Sequence, residues 1–199
     1  MTQPIYIVSG LPRSGTSMMM SMLQAGGVPI LTDGERVADE DNPKGYFELE
    51  RVKKLASGDV AWLPEAEGKA VKIISDLLQF LPKDIPCRVI FMRRRLSEIL
   101  ASQQRMLKHR GESDHEAPDA DEASEMRGIY QAHLDEIFAD LDGRPACETL
   151  YVNYNRMLSD PGPQLEKLAL FLEQPGITEI DRAAMAGVID KALYRNRQQ

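Results

Sequence analysis

Cysteine, tryptophan and long apolar runs are all scarce in this chain, and each shortage removes a class of protein. Two of its 199 residues are cysteine and one is tryptophan. Two cysteines cannot build the disulfide framework of a small secreted scaffold. Cys87 and Cys147 stand at the starts of expected strands, outside any metal-ligand spacing, and are read as reduced, structural thiols. No stretch approaches the ~18 apolar residues of a membrane span. The beginning, "MTQPIYIVSG", has neither the basic start nor the apolar run of a secretory signal. A soluble, cytoplasmic protein without a membrane span is expected. Histidine is also sparse, at three residues. His109 and His115 lie at the acidic stretch described next, and His133 is expected on the side of a helix beside Leu134 and Ile137.

Positive charge is in deficit: the net charge of −7 argues against nucleic acid as a partner. The deficit is local. "GESDHEAPDADEASE", residues 111–125, holds seven Asp and Glu and no Lys or Arg, and removing those seven from 31 leaves 24 acids against 24 bases. This segment reads as a solvated, mobile acidic loop. The alternative is a lid over a site, which would disfavour polyanionic acceptors.

What the chain does have is enough apolar residue, 43%, for one domain spanning 1–199. A chain of this length buries roughly 70% of its unfolded surface. "PIYIVSG" reads as a strand running into a glycine turn, "KAVKIIS" and "CRVIFMRR" as strands apolar on both faces, and "ETLYVNY" as a last strand. They alternate with the amphipathic stretches "TSMMMSMLQAGG", "LSEILASQQRMLKHR", "EMRGIYQAHLDEIFADL" and "GPQLEKLALFLE". The pattern predicts an α/β fold, a single domain with a mainly parallel sheet flanked by helices, and ligands at the carboxyl ends of its strands. Met18, Met19 and Met22 are expected to fill core under the sheet. Trp62 suits either a pocket wall or the core.

The loop after the first strand, "GLPRSGTS", keeps the two glycines and the hydroxyl of a Walker A loop but carries Thr16 where that loop has lysine. Backbone N–H groups at Ser14, Gly15, Thr16 and Ser17, opening into a helix, make an anion cradle. Arg13 supplies a cation from within the loop.

"LPRSGTS" resembles the 5′-phosphosulfate loop, P-[KR]-S-G-T-[ST], of sulfotransferases that use 3′-phosphoadenosine 5′-phosphosulfate (PAPS). Their 3′-phosphate motif, R-N-P-x-D-x-x-x-S at the end of a strand, is similar to "RRLSEILAS", with Arg94 and Ser102 eight apart, Glu98 in the acidic place, and Arg95-Leu96 replacing Asn-Pro. Lys72 in "KAVKIIS" matches the family's catalytic lysine, and Ile74 stands in the place of its histidine base. Tyr154 matches a tyrosine that seats the adenine. The family's C-terminal R-K-G segment has no counterpart, and Arg195 and Arg197 are candidate substitutes.

The resemblance implies a P-loop, nucleotide-kinase-like fold and metal-independent, in-line transfer of a sulfuryl group from PAPS to a hydroxyl or amine. The acceptor would be a small molecule, glycan or peptide, and the nucleotide product 3′,5′-diphosphoadenosine. The missing lysine then has a reason. A sulfuryl group carries one negative charge, so Arg13, Lys72 and the loop amides suffice to stabilise the departing phosphate. With isoleucine at position 74 the base must lie elsewhere. Glu48, behind Tyr46 and Phe47, ranks first, as a carboxyl whose pKa an apolar pocket would raise; Asp33 and Glu35 follow. The alternatives are a nucleotide-binding module without turnover and a P-loop small-molecule kinase.

Overall fold

The computed structural model describes residues 3–39, 42, 45–109, 120–173, 177 and 179–190. Strand β1 (Ile5–Gly10) is buried at every position. A strand covered on both faces and both edges is the centre of a parallel sheet. The sheet has the order β2-β1-β3-β4, with β2 (Ala70–Lys72), β3 (Cys87–Arg93) and β4 (Cys147–Asn153). Every pairing is parallel. The chain leaves β1, forms β2 on one side, and returns to form β3 on the other. That reversal opens a crevice at the carboxyl end of β1, where Gly10 lies opposite Met92.

Alternate residues of β1 divide the core in two. Tyr6 and Val8 face a layer containing α1 (Thr16–Ala25), α6 (Tyr154–Ser159), α7 (Pro161–Leu172) and α8 (Arg182–Gly187). Ile5 and Ile7 face a layer built from a 3-10 helix (Glu50–Ser57), α2 (Leu63–Ala66) and α5 (Ala120–Asp142). The short α3 (Ser75–Leu78) follows β2 directly, and α4 (Leu96–His109) follows β3. Met19, Met20 and Met22 are wholly buried, so Met20 joins the expected core methionines. Met18 is partly buried against the same cluster. Trp62 is a core residue, 1% exposed, and its indole N–H donates to the Asp59 carbonyl at 3.0 Å.

Cys87 and Cys147 open β3 and β4, face each other across the ladder, and are both free thiols. His133 does more than pack beside Leu134 and Ile137: its Nε2 lies 2.9 Å from Ser75 Oγ and 3.0 Å from Asp76 Oδ1, tying α5 to α3. The expected acidic loop at 111–125 requires a correction, because Ala120–Glu125 are the first turns of α5. Asp121 and Glu122 sit where a helix dipole favours negative charge. Residues 111–119 lie outside the described residues, as do Arg195 and Arg197. Among the described residues no helix is long and apolar enough to cross a membrane.

Candidate functional site

A cavity of about 400 Å3 opens at the carboxyl edge of the sheet. Its floor is the turn from β1 into α1. Gly10, at φ 142°, tolerates no side chain, since a Cβ would lie 2.6 Å from the Met92 carbonyl oxygen. Gly15 caps α1 at φ 103°, in the left-handed region that glycine adopts readily. A Cβ there would come within 2.4 Å of the Tyr154 ring. The loop and α6 are thus locked together by the absence of a side chain. Arg13 also has a positive φ, 71°, a strained setting for a residue with a Cβ.

The amino end of α1 receives no side-chain cap and carries no acid in its first turn. An α-helix leaves its first four N–H groups without intrahelical partners, and its dipole places partial positive charge there. Gly15, Thr16, Ser17 and Met18 line the cavity at this end. Ser14 lies beneath them, fully buried, its hydroxyl without a hydrogen-bond partner. An anionic group suits such a place.

A second polar cluster stands beside it. Arg13 Nε donates to Ser102 Oγ at 2.9 Å, and Arg94 Nη1 donates to the Arg13 carbonyl at 3.0 Å. The Arg94 guanidinium lies over the Tyr154 ring, 4.5 Å from its centroid. Glu98, completely buried, accepts from Arg94 Nε and from Asn155 Nδ2, each at 2.9 Å. All the residues expected to hold the 3′ and 5′ groups, except Ser14 beneath the floor and Arg195 outside the described residues, therefore border one cavity.

A third cluster is centred on Lys72, which is 6% exposed, donates to the Tyr46 carbonyl and lies 3.4 Å from both Ser17 Oγ and Glu48 Oε1. Burial pulls the Lys72 ammonium down to about 8 from its ordinary 10.5, partly offset by the attraction of Glu48. Glu48 does border the cavity, but its carboxylate is met by charge rather than by the apolar pocket expected. Arg36 Nη1 approaches its Oε1 to 2.8 Å and Lys53 Nζ its Oε2 to 3.7 Å, so three cations, counting Lys72, meet on one carboxylate. Arg36 also stacks 3.4 Å from the Tyr46 ring, whose hydroxyl donates to Asp39. Phe47 takes φ 53° to bring its neighbours into these positions. Ile74 lines the same wall.

Asp33 and Glu35 are exposed and do not border the cavity. Asp33 Oδ2 instead accepts from the Glu50 N–H at 2.5 Å, at the start of the 3-10 helix. Among the described residues no group of three or more His, Cys, Asp or Glu side chains converges as a metal site requires.

The sequence reading passed over Arg36, Lys53 and Arg105, all of which line the cavity. Arg105 was findable, one helical turn beyond Ser102 on α4. Arg36, a lone cation within "TDGERVADED", was a weak signal, and Lys53 had none.

No protein-family model matches the chain, and no curated protein matches it in sequence. Among solved structures it is similar to the sulfotransferase domain from the curacin biosynthetic pathway, at 13% identity over 98% of this chain and 92% of that one, with a TM-score of 0.50. A sulfotransferase domain from the Synechococcus PCC 7002 olefin synthase matches at 16% identity over 100% and 90%, with a TM-score of 0.49. The chain has a sulfotransferase-like α/β fold.

Proposed function

We propose that the protein is a PAPS-dependent sulfotransferase acting on a hydroxyl or amine acceptor. The observation that supports this reading is two anion-holding devices side by side in one cavity: the uncapped amino end of α1, and the Arg13–Ser102–Arg94 cluster over Tyr154. A donor with phosphates at both its 5′ and 3′ positions needs two such places, and a triphosphate chain needs only one track. Thr16 at the Walker lysine position points the same way.

PAPS, when bound, supplies an activated sulfuryl group: its sulfur–oxygen bond to the 5′-phosphate breaks as a bond from the acceptor's oxygen or nitrogen to sulfur forms, and the acceptor's proton goes to the base. The α1 amides and Lys72 would hold the growing charge on the departing phosphate, as fixed donors in a partly dry site do best. Arg94, stacked on Tyr154 and fixed by Glu98, would orient the nucleotide from its 3′ end. Of the candidate carboxylates Glu48, Asp33 and Glu35, only Glu48 borders the cavity, and it is assigned the base.

Calorimetry with 3′,5′-diphosphoadenosine and with ADP tests the donor. The first should bind tightly and indifferently to EDTA; the second should be weaker by ~2–5 kcal/mol, the cost of leaving a gripping charge unpaired. Equal affinities for the two nucleotides would remove the basis for a 3′-phosphate site.

A further inference from the structure

Resting on that reading, we infer that the acceptor carries an anionic group next to its reacting hydroxyl or amine, that Arg36 and Lys53 receive this group, and that their transfer to it frees Glu48 to take the proton. Both oxygens of the Glu48 carboxylate are approached by cations, so the O–H or N–H of an acceptor must compete with them for a lone pair. The three are not equivalent. Lys72 is 6% exposed and anchored by the Tyr46 carbonyl, whereas the side chains of Arg36 and Lys53 are 33% and 55% exposed. Lys53 is held more closely by Glu50, at 2.5 Å, than by Glu48, but this pair too is at the surface, so the outer pair can turn to a ligand without unpacking the core; Lys72 cannot.

The cations around Glu48 are not the ones assigned to the donor's 3′ group. In a chain of net charge −7, the cavity is lined by Arg13, Arg36, Lys53, Lys72, Arg94 and Arg105 against Glu48 and Asp190. Arg13 and Arg94 belong to the cluster over Tyr154, and Arg36 and Lys53 belong to the separate cluster around Glu48. Both touch Glu48, so an anion they bind lies about two hydrogen-bond lengths, ~6 Å, from the base, close enough to sit beside the reacting group. The rest of that wall is apolar: Leu49, Val52, Ile74 and Leu77. A compact apolar acceptor with its carboxylate on the carbon next to the hydroxyl matches this arrangement, and a neutral alcohol of the same shape leaves the cations on Glu48.

A matched pair of probes separates the two. Protein saturated with 3′,5′-diphosphoadenosine is titrated calorimetrically with 2-hydroxyoctanoate and with its methyl ester. The acid should bind about tenfold tighter or better, as hydrogen bonds to charged groups warrant. Arg36→Gln and Lys53→Gln should each remove most of that preference without changing affinity for the ester or the nucleotide. With PAPS, Arg36→Gln should lower turnover of the acid and raise turnover of the ester, because Glu48 then carries one cation fewer. Equal binding of acid and ester, or binding of neither, would overturn the anion site. Ester turnover that fails to rise in Arg36→Gln would overturn the release of Glu48. Failure of the diphosphoadenosine itself to bind is a separate result: it would refute the donor reading, and this inference with it.

Discussion

The carboxylate of Glu98 is completely buried and lies 2.9 Å from Arg94 Nε, one helical turn before it. Its other oxygen is held by Asn155. Removing one partner of a buried pair leaves an uncompensated charge and costs on the order of 3–5 kcal/mol. Glu98→Ala should therefore lower the midpoint of thermal unfolding. Glu98→Gln keeps the shape but turns an amide N–H2 toward one of two donors, so it should destabilise less and weaken diphosphoadenosine binding through a misplaced Arg94. If Glu98→Gln left nucleotide affinity at the wild-type value, Glu98 would have no positioning role.

Arg13 and Ser102 should act as one unit in nucleotide binding, because the arginine Nε donates to the serine hydroxyl at 2.9 Å. Hydrogen-bonded neighbours show interaction energies of about 0.5–3 kcal/mol in a double-mutant cycle. Arg13→Ala, Ser102→Ala and the double variant, each titrated with diphosphoadenosine, give that energy directly. Additive losses would mean that the two residues contact the nucleotide independently. If Arg13 also serves transfer, its alanine variant should lower kcat more than Ser102→Ala does.

Lys72 links function to a stability cost. In the folded chain its ammonium titrates at about 8, against 10.5 when exposed. Between these values the unfolded chain holds the extra proton, so stability attributable to this group rises with pH across that window. Below pH 8 the full burial penalty applies, on the order of 3 kcal/mol. Lys72→Met should thus be more thermostable than wild type at pH 7, with the difference shrinking toward pH 10. Its transfer activity should be largely lost. Melting curves of both proteins across this range check the sign; a wild-type protein more stable than Lys72→Met at pH 7 would contradict it.

The strands were legible because parallel-sheet strands are apolar on both faces, as "IYIV" and "VIFM" are. The β1–α1 turn was legible because its chemistry depends on fixed local spacing. Arg36, Lys53 and Lys72 come from separate elements and meet on Glu48 only through folding, so no spacing announced them. That is why the cations around Glu48 were not expected. The start of α5 was hidden for another reason: Asp121 and Glu122 suit a helix amino end as well as a loop, and composition alone does not separate the two.

The choice of base is the sharpest test of the acceptor side. Glu48, Asp33 and Glu35 all fall in one acid-rich segment, yet only Glu48 borders the cavity, with its Oε1 3.4 Å from Lys72 Nζ. Asp33 is occupied with the Glu50 and Glu35 N–H groups, at 2.5 and 3.1 Å, and so holds the start of the 3-10 helix to the loop around residues 33–35. Glu48→Gln keeps volume and one acceptor oxygen while removing basicity. It should leave diphosphoadenosine affinity nearly unchanged and reduce kcat by ~10²–10⁴, the usual contribution of a general base. Asp33→Asn should do the opposite: lower the melting temperature by loosening the 3-10 helix, with kcat near wild type in the protein that remains folded. Glu35→Gln, at an exposed site, should change neither by more than the ±0.5 kcal/mol typical of surface substitutions. A kcat loss at Asp33→Asn or Glu35→Gln that matched the loss at Glu48→Gln, with folding intact, would pass the role to that residue.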